Sequence, residues 1–147
     1  MPVDSWSAAT AVLRLSALLV DGIQHGVAEG GFDDVRPVHG FAFARLSEAP
    51  ATTAQLAEHL GITKQATSEL VHYLLDRGYL TRVADPHDRR AWLLVLTGRG
   101  HDCTRAAQRA ATRTVEGWEQ RISPGQATAL REALAAVAGE GRLRPAW

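Results

Sequence analysis

One glycine, Gly61, stands between two short segments that each begin with a helix cap, and this pattern constrains the chain more than any other. Thr52-Thr53-Ala54-Gln55 reads as a capping box: the Thr52 hydroxyl can accept from the Gln55 N–H while the Gln55 side chain reaches back. The helix it starts carries Leu56, Ala57 and Leu60 and stops at Gly61. After Ile62, Thr63 can cap a second helix that begins at Lys64, with Ala66, Leu70 and Leu74 one turn apart and Val71 beside them. Gly78 ends it in the position that favours a left-handed residue. Two runs rich in β-branched, aromatic and apolar residues follow at 79–84 and 91–96. Between them lies Asp85-Pro86-His87-Asp88-Arg89-Arg90, which reads as the six-residue charged tip of a β-hairpin.

The flanks are helical. Residues 5–28 carry Val12, Leu13, Leu15, Leu18, Leu19, Val20 and Ile23 on more than one face, so this helix must be covered by a partner subunit as well as by its own core. Gly30-Gly31-Phe32-Asp33-Asp34 breaks it, and Pro37 opens a second helix over about 38–47 with Phe41, Phe43 and Leu46. Thr97 can cap a long helix over about 98–121. Ser123-Pro124-Gly125-Gln126 then restarts the chain for a last helix to about Ala138, and the tail from Gly139 to Trp147 is expected to be loosely ordered. The fold class is therefore mainly α with a small β-hairpin wing: a winged helix-turn-helix plus a helical dimerisation region. Residues 1–147 are expected to form one domain, with the helix-turn-helix and wing at 37–97 flanked by helical segments at 5–30 and 98–138.

The order of elements suits DNA. With Ala66, Leu70 and Leu74 turned inward, the second helix presents Lys64, Gln65, Ser68, Glu69 and His72, with Thr67 at the edge. A helix of this kind fits the major groove, where Gln can pair with adenine, Ser and Thr suit bases or phosphates, and Lys64 suits guanine or phosphate. Arg89 and Arg90, on a narrow projection, can enter a minor groove or hold phosphates.

Charge first argues the other way. The chain has 16 basic and 16 acidic residues and no net charge. The balance changes along the sequence, however, from an excess of three acids in residues 1–50 to one base in 51–100 and two in 101–147. Neutrality then predicts weak non-specific binding and a shallow salt dependence. The one Cys excludes an internal disulfide, and no His or Cys spacing suits a metal, so no cofactor is expected. No nucleophile elbow, P-loop or dinucleotide loop is present, which argues against an enzyme. No apolar run reaches the ~18–20 residues of a membrane span and no signal peptide is evident, so the chain is expected to be cytoplasmic with no membrane partner.

Thr52-x-x-Gln55-Leu56-Ala57, Gly61-Ile62-Thr63-Lys64-Gln65, Leu74-x-x-x-Gly78-Tyr79-Leu80, Asp85-Pro86-x-Asp88-Arg89-Arg90 and Leu94-x-Leu96-Thr97-x-x-Gly100 together resemble the MarR family of winged-helix transcriptional regulators. The motifs cover about 37–122. The resemblance implies a homodimer with interleaved terminal helices, recognition helices in successive major grooves of a pseudo-palindromic operator, and wings in the flanking minor grooves. Thr52, Thr63, Lys64, Gln65, Thr67, Ser68, His72, Arg89 and Arg90 become the DNA-binding set. Arg89 or Arg90 would be the minor-groove finger, Arg89 by preference, braced by an ion pair from Asp85 or Asp88. The function implied is that of a repressor released by a small aromatic or anionic effector, for which His39, Phe43, Trp92 and Trp118 are candidate lining residues against a competing role in core packing. Redox sensing through Cys103 is the weaker reading beside that of a small apolar core residue. Two features depart from the family pattern: Glu69 on the groove face, and the pair Gly98 and Gly100, expected to soften the joint between wing and long helix. Neutral charge and Glu69 also support an alternative, a winged-helix module that contacts proteins and binds DNA weakly or not at all.

Overall fold

The computed structural model describes residues 3–145. The elements run α1 (Ser5–Glu29), α2 (Pro37–Glu48), α3 (Thr53–Leu60), α4 (Lys64–Asp76), β1 (Leu80–Asp85), β2 (Asp88–Leu96), α5 (Gly98–Glu119) and α6 (Pro124–Ala138). Local chemistry sets most of these boundaries. Asp4 caps α1 through its carboxylate on the Ser7 N–H at 2.7 Å. Ser123 and Gln126 close the expected capping box of α6. Gly61 and Gly78 take φ of +70° and +77° after α3 and α4, a region that side chains with a Cβ rarely enter.

The chain divides into two compact units. The first holds residues 1–33 and 106–139, and its core is a helix pair. Gly22, Gly26 and Gly30 form a smooth stripe on α1 at one-turn spacing, and it meets Thr114, Ala110 and Ala106 of α5 in antiparallel order. A Cβ on Gly26 would overlap that of Ala110, and one on Gly22 would overlap the Thr114 hydroxyl. The backbones thus approach more closely than larger residues permit. The rest of this unit is thinly covered: α1 buries only Gly26 and Val27, and α6 buries none of its residues. Trp6, Leu13 and Val137 are 76%, 71% and 88% exposed. Arg131 of α6 forks onto the Glu119 carboxylate at the end of α5.

The second unit holds residues 34–105 and 140–147. Phe43, Leu46, Leu56, Leu60, Leu70, Val71, Leu74, Tyr79, Leu94 and Leu96 make its core. The two strands pair antiparallel, Leu80 with Leu96 through Ala84 with Trp92, and Ala51 adds a bridge to Leu94. This lobe takes in Asp34–Arg36 and the first two turns of α5 as well as 37–97, together with the tail. Within the tail, Arg142 donates to the Glu58 carbonyl and His59 meets the Leu143 carbonyl. Gly100 has a packing role where softness was expected, since a Cβ there would overlap the Tyr79 carbonyl oxygen and stand 3.0 Å from Leu96 Cδ2, whereas Gly98 meets nothing. One further expectation is revised. α1 is long and apolar enough to cross a membrane by length and composition alone, although Arg14 and Asp21 interrupt its apolar run.

Overpacking a close helix contact costs about 1–3 kcal/mol. Gly26→Val should therefore lower stability by that amount in urea unfolding. Gly40→Ala in α2, where a Cβ would meet nothing, should instead raise it by about 0.5–1 kcal/mol.

Candidate nucleic-acid interface

The start of α4 is built by its cap. Thr63 stands in extended backbone and its hydroxyl accepts from the Ala66 N–H at 3.1 Å, which fixes where α4 starts. Thr52 and Gln55 exchange the two capping-box bonds at 3.1 and 3.0 Å, fixing the start of α3 in the same way. Lys64, Gln65, Glu69 and His72 are exposed on α4, and Ser68 is half-buried. His72 Nδ1 lies 2.8 Å from the Ser68 carbonyl. A carbonyl only accepts, so Nδ1 carries the proton and Nε2 is left as an acceptor in the neutral ring.

The inward stripe is rotated from the expected one. Thr67, Leu70, Val71 and Leu74 are buried, while Ala66 is exposed. Thr67 has no exposed surface at all, and its hydroxyl donates to the Thr63 carbonyl at 2.8 Å. It belongs to the core and leaves the DNA-facing set. That carbonyl satisfies the buried hydroxyl, so a threonine sits in the apolar stripe without loss.

The hairpin also differs at its tip. Only Pro86 and His87 lie in the turn; Asp88, Arg89 and Arg90 already belong to β2. Asp85 pairs with Asp88, but the next pair in register is Ala84 with Trp92, so Arg89, Arg90 and Ala91 bulge from the ladder. A bulge twists a strand and re-aims its side chains, and Arg89 and Arg90 are both exposed there. The aspartates hold this shape through backbone groups. Asp85 accepts from the His87 N–H and Asp88 from the Arg90 N–H, each at 2.9 Å. The expected ion pair with Arg89 or Arg90 is absent among the described residues, because the carboxylates serve the tight turn as Asx caps.

Two polar projections from one lobe, a capped helix and a bulged arginine hairpin, are thus in place. Residues 34–91 match the MarR family model. Rv1404 from Mycobacterium tuberculosis is similar over 96% of this chain and 97% of its own, at 26% identity and a TM-score of 0.82. Over residues 34–91 the chain is thus similar to the MarR family. The apo form of wild-type MarR from E. coli shares the fold at a TM-score of 0.72 and 16% identity, covering 95% of this chain and 98% of that one. Rv2887 of M. tuberculosis, solved in complex with salicylic acid, does so at 0.66 and 22%, covering 86% and 93%. No curated protein sequence matches the chain.

Behind this candidate interface lies a polar cluster that no sequence motif marks. Asp34 Oδ1 accepts from the Tyr79 hydroxyl at 2.6 Å, and its backbone carbonyl accepts from the Tyr73 hydroxyl at 2.5 Å. Arg77 and Arg99 approach Asp34 Oδ2 at 3.5 and 3.9 Å and lie over the Tyr73 and Tyr79 rings respectively. Burial and the hydrogen bond to Asp34 push the Tyr79 hydroxyl up to about 12. His39 stacks on Tyr73 with ring centroids 4.8 Å apart, and its Nδ1 accepts the Arg36 N–H at 2.9 Å. His39 and Phe43 are thus core residues of α2. Trp92 is 59% exposed on β2, and Trp118 belongs to the other unit. Cys103 is buried, and desolvation raises its thiol to about 11, which suits a packed thiol and not a reactive one. No cluster of metal-ligating side chains occurs among the described residues.

Burial, with Arg36 nearby, lowers His39 to about 4 from its ordinary 6.5. Unfolding therefore takes up a proton at mildly acid pH, so His39 supports the fold fully above 6.5 and progressively less as pH falls towards 4. Urea unfolding should show about 2 kcal/mol lost between pH 7 and 5 that His39→Gln does not lose.

Proposed function

We propose that the chain is a dimeric, sequence-specific DNA-binding regulator that represses transcription in the cytoplasm until a small ligand releases it. The observation that carries the reading is the pairing of an exposed polar face at the start of α4 with the bulged Arg89-Arg90 pair on the wing of the same lobe. Lys64, Gln65, Ser68 and His72 read base edges in the major groove. Thr52 and Thr63, at the helix starts, hold phosphates through backbone N–H groups and hydroxyls. Arg89 enters the minor groove, and Arg90 contacts the adjacent phosphates.

The dimer is supported by uncovered apolar side chains: Trp6, Val12, Leu13 and Leu18 on α1 and Leu134 and Val137 on α6 are each 46% exposed or more. A second copy is their simplest cover, and its two-fold axis would present two α4 helices to a pseudo-palindromic site. A small aromatic anion as the effector is supported by the neighbour solved with salicylic acid.

Sedimentation at micromolar concentration should give about twice 15.9 kDa, and a monomer would contradict the proposal. In ~100 mM salt, the protein should bind a duplex from upstream of its own gene more tightly than an unrelated duplex of equal length. Replacing Arg89 and Arg90 together by Ala should weaken that binding at least tenfold, since removing each arginine costs about 1–3 kcal/mol. Equal affinity for the two duplexes would sink the regulator reading.

A further inference from the structure

The C-terminal segment carries two arginines that no motif explains. It returns to the DNA-binding lobe after α6 and lies along the last turn of α3. Arg142 Nη1 donates to the Glu58 carbonyl at 3.3 Å, and His59 Nε2 donates to the Leu143 carbonyl at 3.2 Å. The last carbonyls of a helix have no partner within it and carry its negative pole, so a guanidinium is favoured there. Leu143 is 62% exposed, so polar contacts and not apolar burial hold the segment.

These contacts deliver the next arginine to a specific place. Arg144 Nη1 lies 3.1 Å from where a Cβ on Gly61 would stand. Gly61 is the turn between α3 and α4, two residues before the Thr63 cap and three before Lys64. A glycine is needed at this turn for its φ of +70°, and its missing side chain also leaves room for the guanidinium. In a helix-turn-helix the first residues of the recognition helix enter the groove and the preceding helix crosses the backbone. A cation at the turn between them borders the phosphates that flank the groove. Among the described residues no carboxylate pairs with Arg144. Residues 34–105 hold nine basic and eight acidic side chains, and 140–147 adds two basic and one acidic, so the tail doubles the lobe's small excess of positive charge.

We infer that the tail is a third DNA-contacting element beside α4 and the wing, with Arg142 anchoring it to α3 and Arg144 holding a backbone phosphate at the mouth of the major groove. The inference rests on the DNA-binding reading above. A phosphate contact is blind to sequence, so the tail strengthens binding to any duplex and leaves discrimination to α4 and Arg89.

The test measures affinity of the full-length protein against salt, on the upstream duplex and on an unrelated one. Each phosphate contact contributes about −0.9 to the slope of log affinity against log salt. Arg144→Ala, which takes one phosphate ligand from each protomer, should make the slope shallower by about 2 and weaken both duplexes by the same factor, roughly tenfold at ~100 mM salt. Arg144→Lys keeps the charge and should keep the slope, and Arg142→Ala should shift it in the same direction as Arg144→Ala but less. An Arg144→Ala protein with unchanged slope and affinity on both duplexes overturns the inference while leaving the regulator reading intact. So does one that lowers the urea midpoint without touching the slope, or one that loses preference for the upstream duplex alone. A wild-type protein that cannot tell the duplexes apart overturns the regulator reading itself, through a different comparison.

Discussion

The hydrogen bond from the buried Tyr79 hydroxyl to Asp34 holds the helix-turn-helix and wing in register. Tyr79 is fully buried where three elements meet. Its N–H closes the end of α4 on the Leu74 carbonyl, and its own carbonyl accepts from Thr97 at the start of α5. Its side chain reaches Asp34, just ahead of α2. The end of α4, the root of the wing and the first turn of α5 are thus fixed by one residue. Gly100 completes the arrangement, because only a residue without a Cβ can pass that close to the Tyr79 carbonyl. A buried hydroxyl left without its acceptor costs about 1–3 kcal/mol, so the lobe tolerates little drift at this junction. Arg77 and Arg99, set over the two tyrosine rings, offset the Asp34 charge at the protein surface. The rigidity serves the proposed function, since a helix and a wing can read DNA only if their spacing is constant.

Local signals in the sequence are strong where one residue type dictates backbone geometry. The capping boxes that start α3 and α6, the left-handed glycines at 61 and 78 and the antiparallel wing follow directly from Thr52, Gln55, Ser123, Gln126, Gly61 and Gly78. Signals fail where two residues compete for one role. A one-turn count from Leu70 favours Ala66 as the inward residue, because alanine is apolar and threonine is not. The structure chooses Thr67, since i−3 lies on the same stripe and its hydroxyl is satisfied one turn back at Thr63. The wing tip misleads for a related reason. Asp85 and Asp88 look like partners for arginine, but a short Asp side chain next to a tight turn finds the backbone N–H two residues on before it finds a mobile guanidinium.

Long-range contacts are invisible for a different reason. Nothing in the composition of Gly30-Gly31-Phe32-Asp33-Asp34 marks Asp34, and not Asp33, as the acceptor for two tyrosines 39 and 45 residues away. The glycines at 22, 26 and 30 carry a readable signal, because small residues at one-turn spacing on an otherwise bulky helix indicate a close helix neighbour. The apolar residues around them mask it, suggesting cover on several faces without saying which face lies against α5. The structure separates the two roles. The glycine stripe serves the pairing within the chain, and the bulky residues Trp6, Val12, Leu13 and Leu18 are left exposed. An apolar surface of that kind on two helices of one unit is costly in water, so covering it would supply the driving force for the proposed second copy.

Neutral net charge takes its meaning from this separation of roles. A protein that binds any duplex by charge alone needs a wide basic face, and residues 34–105 have an excess of one positive group. What the lobe offers is placed charge: Lys64 at a helix start, Arg89 and Arg90 on a bulge. Glu69 fits the same logic. On a general phosphate-binding face a carboxylate would only repel, whereas at the groove floor it can accept from the cytosine amino group and penalise other bases. It is exposed one turn after Gln65, on the side of α4 that carries the base-reading groups. On the proposed reading, an acid at that position would lower affinity for wrong sequences more than for the right one, and a lobe with little excess charge would have no strong background binding to overcome. Under the proposed function, weak attraction to DNA in general would then be a condition for discrimination, shifting the affinity towards base contacts and the shape of the groove.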